Sequence, residues 1–227
     1  MKEIIKLNNI YKSYKIKDKE IKVLNGINVN FNKFTLYGIM GHSGSVKSTL
    51  INILGLIEKI DEGNYILYDK EVNDYTDNNL SKLRMKNIGF IFQNFLLKPN
   101  LKAYENVMLP MLINKKIKPS ERKEKAKELL KLVGLENRVE HFPKELSGGE
   151  QERVAIARAL ANNPDIILAD EPTGNIDFKT EQGIFELLKE LSKKGKCVIV
   201  VSHSKYIKKY ADVIYELDSG KLMSVEK

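Results

Sequence analysis

A single cysteine, no tryptophan and no long hydrophobic stretch characterise this 227-residue chain. One cysteine excludes an internal disulfide and makes a reducing compartment the default. The strongest apolar runs, residues 166–169 and 197–201, fall far short of the about 20 residues that a bilayer span needs. The chain is therefore expected to meet a membrane only through a partner. Its first residues, Met1-Lys2-Glu3-Ile4-Ile5-Lys6, lack the apolar centre of a secretion signal. Internal repeats, low-complexity linkers and a clear domain break are missing too. What is present, 42% hydrophobic and 30% charged residues, describes a folded protein and not a disordered one. The length suits one domain with an inserted subdomain. Lys and Arg exceed Asp and Glu by 38 to 30, a net charge of +8. That balance permits a nucleic acid or an anionic membrane as neighbour without choosing between them, and solvated helix faces account for most of it.

Along the chain, the first third reads as short strands. Residues 4–7 form one, the lysine-rich stretch 12–22 reads as a hairpin tip, and residues 23–31 partly alternate. The compact apolar run 36–40 leads through a Gly/Ser cluster into residues 48–54, which have helical spacing. Residues 65–68 and 88–92 are further strands. From 94 to 161 the pattern turns helical. Ala126, Leu129, Leu130 and Val133 are in phase within a Lys/Glu-rich helix expected from Lys115, and Gly134 is its cap. Ser147-Gly148-Gly149 opens a helix over 150–161, which Pro164 closes. Then come a strand at 165–169, a helix at 179–191, a strand at 197–201 and a strand at 213–217 with a turn after it. Continuous apolar strands between helices predict a parallel sheet covered on both faces. We read one domain over 1–227, with a core of 1–93 and 162–227 and a helical insertion at 94–161.

Gly41-His42-Ser43-Gly44-Ser45-Val46-Lys47-Ser48, continued by Thr49, follows a strand and opens a helix. It resembles the phosphate-loop pattern, in which backbone N–H groups at a helix N-terminus cradle phosphates. Lys47 would neutralise the outer phosphate oxygens and Ser48 would hold Mg²⁺. The pattern asks for glycine where Val46 stands. Glycine permits positive φ and close approach without a Cβ. A valine in that conformation is expected to strain the loop by about 1–3 kcal/mol and to weaken ATP binding.

Two acids end the buried strand, Asp170 and Glu171. At the C-terminal end of a parallel strand they face the ligand crevice. Asp170 is a candidate Mg²⁺ ligand and Glu171 a candidate general base. Leu146-Ser147-Gly148-Gly149-Glu150-Gln151 is the most specific feature, a second anion site at a helix start. Without a ligand, two glycines there make a poor helix start.

With these motifs the sequence resembles the ATP-binding subunit of ABC transporters. Leu146 to Glu150 matches the family signature, and Arg153, Ala155, Ile156, Ala157, Arg158, Ala159 and Leu160 continue the match. Gln93 fits the Q-loop, Gly174-Asn175-Ile176-Asp177 the D-loop and His203 the switch histidine. Tyr14 fits the aromatic residue that stacks on adenine, with Tyr11 as its competitor. The resemblance implies a P-loop NTPase core with a mainly parallel sheet, an N-terminal antiparallel β subdomain and an inserted helical subdomain. It implies catalytic roles for Glu171, His203 and Gln93. Ser48, Gln93 and Asp170 would hold Mg²⁺. Tyr14, residues 41 and 43–49, residues 147–150 and Asp177 would contact ATP. Gly89-Phe90-Ile91-Phe92-Gln93, Glu105-Asn106-Val107 and Leu109-Pro110 are similar to the group serving lipoprotein release, macrolide export and antimicrobial-peptide resistance.

That resemblance further implies an ATP-dependent homodimer on an integral membrane permease, at the cytoplasmic face, with no nucleic-acid partner. The signature of one copy would cap the phosphate held by Lys47 of its twin. The residues remaining up to Lys227 leave no room for a C-terminal regulatory domain. A non-hydrolysing regulatory subunit is the alternative reading. An ABC-type repair or translation factor is disfavoured, because the former needs a long coiled-coil insertion and the latter two such domains.

Overall fold

The computed structural model describes residues 2–17, 19–41 and 44–225. In chain order the elements are β1 (Glu3–Ile16), β2 (Lys19–Asn32), β3 (Thr35–Met40), α1 (Gly44–Leu54), β4 (Glu62–Leu67), β5 (Lys70–Glu71), α2 (Asp77–Asn87), β6 (Ile88–Ile91), α3 (Ala103–Leu112), α4 (Arg122–Leu132), α5 (Gly148–Ala159), β7 (Ile166–Asp170), α6 (Phe178–Lys193), β8 (Cys197–Val201), α7 (Ile207–Tyr210), β9 (Val213–Asp218) and β10 (Lys221–Val225).

The uninterrupted apolar runs become the centre of a six-stranded sheet, ordered β10-β9-β3-β8-β7-β6. Its pairings are parallel except β9–β10, which is an antiparallel hairpin. All five residues of β8 are buried, as expected for a strand covered on both faces. One core cluster lies on the side of α3, α5 and α6, with Val107, Ile156, Phe185 and Leu188 at its centre. The other fills the space between this sheet, α1 and a four-stranded antiparallel sheet ordered β2-β1-β4-β5. The antiparallel layer is thus not wholly N-terminal: β4 and β5 join it after α1.

Several local expectations change. Residues 12–22 are mostly strand, with Lys12 opposite Leu24 and Ile16 opposite Lys19. Among the described residues the turn is confined to Lys17, and residue 18 lies outside them. The helix expected from Lys115 starts at Arg122, because Pro119 sits at the first position of a 3₁₀ turn that precedes it. Gly134 does follow that helix in the left-handed region, at φ 76°. The helix after Ser147 starts at Gly148, so both glycines lie inside it.

Candidate nucleotide site

β3 delivers the chain to Gly41, and α1 begins at Gly44. His42 and Ser43 lie outside the described residues. Lys47, on the first turn of α1, is 2% exposed. Its Nζ donates to the Gly41 carbonyl at 2.6 Å and lies 3.0 Å from His203 Nε2. Burial lowers its pKa below the ordinary lysine value, and the charges of Glu171 and Asp170 partly oppose that. Ser48 is half-buried and Thr49 buried. Ser45 is the second residue of the helix.

Val46 corrects the expectation of a strained backbone. It lies in α1 and is absent from the non-glycine residues with positive φ. The helix starts two residues earlier, so position 46 takes a helical φ that a β-branched residue tolerates. Its side chain is half-buried against the core cluster beneath α1. The remaining consequence of valine is the space its methyls occupy.

β7 carries Asp170 at its end, and Glu171 follows at φ 48° with its N–H donating to Val201 O at 2.9 Å. The Glu171 carboxylate faces β8 and the residues after it. Oε2 accepts from the His203 backbone N–H at 3.0 Å, and Oε1 lies 3.3 Å from His203 Nε2. Oε1 is buried and accepts no hydrogen bond among the described residues. Asp170 is half-buried, and burial, then the neighbouring Glu171 charge, raises its pKa.

Gln93 follows β6 and is exposed. Its carbonyl accepts from Asn175 Nδ2 at 2.9 Å, which ties the loop after β6 to residues 174–177. Ser147 caps α5: Oγ accepts from Glu150 N–H at 3.3 Å and Glu150 Oε2 accepts from Ser147 N–H at 2.8 Å. Arg138 bonds the other Glu150 oxygen at 2.8 Å and, first among the causes, holds that carboxyl below its usual pKa. Asp177 caps α6, accepting from Lys179 N, Thr180 N and Thr180 Oγ1. Gly148 borders Asn175 O and Ile176, and Gly149 packs against Thr180, where an added Cβ would meet Cγ2 at 2.1 Å.

The structure therefore brings Lys47, Asp170, Glu171 and His203 together. Among the described residues no polar contact joins them to Ser147, Glu150 or Asp177 of the same chain. The ABC transporter family profile matches residues 24–174. The chain belongs to the ABC transporter family. It is an ATP-binding cassette and an ATPase. It is 45% identical to the ABC transporter ATP-binding protein MJ0796 of Methanocaldococcus jannaschii, over 99% of this chain and 97% of that one. It is 44% identical to the macrolide export ATP-binding/permease protein MacB of Bdellovibrio bacteriovorus, covering 99% of this chain and 34% of that one. The dimeric structure of MJ0796 matches with a TM-score of 0.89 at 43% identity, over 99% of this chain and 100% of that one. A dimeric post-hydrolysis state of MJ0796 bound to ADP and Pi matches with a TM-score of 0.89 at 42% identity and the same coverage.

In this cassette Tyr14 and Tyr11 part ways. The Tyr14 hydroxyl lies 3.1 Å from Thr49 Oγ1 and donates to Glu58 Oε1 at 2.5 Å. Tyr11 instead lies over Gly26 on the antiparallel sheet. Of these two, Tyr14 bonds the helix that follows the phosphate loop. Glu58 was not legible as part of this edge, because it lies in an irregular turn after α1 with no motif around it. The cassette's oxygen donors also fit Mg²⁺. The Ser48 hydroxyl, the Gln93 amide oxygen and the half-buried Asp170 carboxyl are hard oxygen donors of the kind that this ion takes.

Proposed function

We propose that the chain is the ATP-hydrolysing cassette of a membrane exporter or peptide-resistance permease, acting as an ATP-dependent homodimer at the cytoplasmic face. The observation that carries this reading is the convergence of Lys47, Asp170, Glu171 and His203 at the ends of β3, β7 and β8. Lys47 neutralises the outer phosphate oxygens, together with Gly41, Ser43, Gly44, Ser45 and Thr49 around the loop. Ser48, Gln93 and Asp170 hold Mg²⁺, which supplies charge neutralisation at the phosphates. Glu171 takes a proton from the attacking water, His203 and Gln93 fix the positions around it, and Tyr14 stacks on the base. Charge neutralisation and positioning account for most of phosphoryl-transfer catalysis.

Ser147, Gly148, Gly149, Glu150 and Asp177 act across the dimer seam, on the nucleotide held by the partner copy. Two units divide this work, a core of 1–93 and 162–227 and a helical part of 94–161. Docking to the permease uses an apolar cleft of about 290 Å³ between α2, β6 and α3, lined by Ile57, Met85, Phe90, Phe92, Pro110 and Ile113. Ile57 and Ile113 expose 51% and 68% of their surfaces there. Among the described residues no helix is long and apolar enough to cross a membrane.

Val46 stands where the phosphate-loop pattern has glycine, and this residue type is the ground for expecting weaker nucleotide binding. The same residue also supports a second reading, a non-hydrolysing subunit that regulates its permease. One experiment separates them. The Val46→Gly/Glu171→Gln protein is mixed with Mg-ATP and its mass followed by light scattering. Doubling with ATP and not with ADP is expected. A mass unchanged by ATP would overturn the dimer, and absent turnover in Val46→Gly alone would favour the second reading.

A further inference from the structure

Beside the cleft assigned above to the permease opens a larger one, of about 670 Å³. Met85 and Ile113 line both. The second cleft differs in its charge. Lys82 and Lys86 reach it from α2, and Lys115 and Lys116 from the segment after α3. All four are exposed. The carboxylate among the lining residues is Asp165, which lies 2.6 Å from Lys33 Nζ and accepts from the Tyr68 hydroxyl at 2.8 Å. It is thus engaged outside the cleft.

The four lysines serve no polar contact of the fold. Among the described residues, none of their ammonium groups forms an ion pair or a hydrogen bond. The acid of α2, Asp77, pairs with Lys59 at 3.3 Å instead, and residues 113–118 contain no acid. Lysines elsewhere on the surface do find carboxylates: Lys123 and Lys127 of α4 at 3.4 and 2.8 Å, and Lys193 of α6 at 2.7 Å. Lys82 and Lys86 stand four apart on one helix, where like charges repel. An uncompensated positive cluster around a concave surface focuses its field and draws anions. The wall between the lysines is apolar in part. Ile113 keeps 68% of its surface exposed, and Met85 is half-buried. A soluble anion would use the lysines and leave these apolar side chains in water. An anionic lipid uses both, its headgroup against the ammonium groups and its acyl chains against Ile113 and Met85.

We propose that this cleft binds an anionic phospholipid, with Lys82, Lys86, Lys115 and Lys116 around the headgroup and Ile113 against the acyl chains. The cassette then touches the bilayer itself, besides any contact made through its permease. Each lysine close to an anionic surface adds an attraction that fades within a Debye length, so the contact is strong at low ionic strength and weak at high. That the lipid lies at the rim of the permease rests on the function proposed above; the lipid site itself does not.

Vesicle flotation without nucleotide tests the proposal, with phosphatidylglycerol and phosphatidylcholine in equal parts or with phosphatidylcholine alone. Binding to the first and not the second is expected. Lys82→Gln/Lys86→Gln/Lys115→Gln/Lys116→Gln should weaken it at least about 100-fold. A charge-matched control, Lys22→Gln/Lys131→Gln/Lys194→Gln/Lys208→Gln, alters exposed lysines that do not line the cleft. It should stay within about fivefold of the parent. Equal losses in the two variants would mean that net charge alone drives binding, and would overturn the proposal, as would equal binding to both vesicles or to neither. The chain contains no tryptophan, so Ile113→Trp gives a lone fluorophore in the cleft without removing a charge. Its emission should move to shorter wavelength on the anionic vesicles. An unmoved spectrum overturns the proposal. So does a shift given by a poly-glutamate peptide or inorganic phosphate but not by the vesicles, which would assign the cleft to an acidic protein segment or a soluble anion. A cassette that hydrolyses ATP and ignores the vesicles would refute the lipid site and leave the functional reading intact.

Discussion

Lys47 Nζ and His203 Nε2 lie 3.0 Å apart, one from the helix after β3 and the other from the loop after β8. The imidazole also sits 3.3 Å from Glu171 Oε1, so one ring bridges the buried ammonium and the buried carboxylate. A side chain shared in this way can lose its contact with Lys47 to a phosphate without leaving Glu171. His203→Ala is therefore expected to lower turnover in the Val46→Gly background by about 10²–10⁴-fold. Mg-ATP affinity should stay within about threefold. Steady-state hydrolysis and a fluorescent-nucleotide titration check the split; an equal loss in both would assign the ring to binding instead.

Val46→Gly is expected to move stability and affinity in opposite directions. Because the backbone at 46 is helical, glycine there lowers stability by up to about 1 kcal/mol. Restoring the glycine of the phosphate-loop pattern should tighten Mg-ATP binding at least about tenfold, or about 1.4 kcal/mol. Thermal unfolding without nucleotide and calorimetric titration with it measure the two. A rise in the unfolding temperature would mean that the valine is strained after all.

Gly149 and Thr180 predict a rescue. Gly149→Ala places a methyl against Thr180 Cγ2 and should cost about 1–3 kcal/mol by overpacking. Thr180→Ser removes that methyl and retains the hydroxyl that bonds Asp177. The double variant should recover most of the loss, whereas additive losses in a denaturant-unfolding cycle would count against the packing argument.

Glu152 makes stability depend on pH in a definite direction. Its folded pKa, about 8, lies above the unfolded value of 4.5, so the folded chain binds the extra proton between them. That stabilising contribution is complete below 4.5 and lost as pH rises towards 8, at up to about 1.4 kcal/mol per pH unit. Unfolding temperatures of the parent and Glu152→Gln should draw together in acid. They should separate in favour of glutamine as pH rises, and a constant difference would exclude this origin.

Much of the architecture was legible because burial leaves a simple pattern. The apolar run at 36–40 and Cys197–Val201 announced strands covered on both faces, and the structure places them side by side. The polar ends of β1 and β2 hid a long hairpin, since four successive residues at the start of β2 are exposed and none alternates. α2 escaped notice because only Leu80 and Asn87 are buried in it, too few to set a helical period. β10 is an edge strand without a fully buried residue, which local sequence cannot distinguish from a turn. The phosphate loop, the two acids and the signature were readable as short motifs with fixed spacing. Arg158 was matched to a motif, but its grip on Phe95 and Leu96 depends on a fold that carries residues 62 and 63 positions apart into contact.

The hydroxyl joining Tyr14 to Thr49 yokes the hairpin to the helix that follows the phosphate loop. The two ends of a bound nucleotide would then rest on a single stiff bracket, with a set distance from ring to lysine. A purine triphosphate would be measured as much as held, and slack introduced at the tyrosine would register at the far end, where the chemistry takes place.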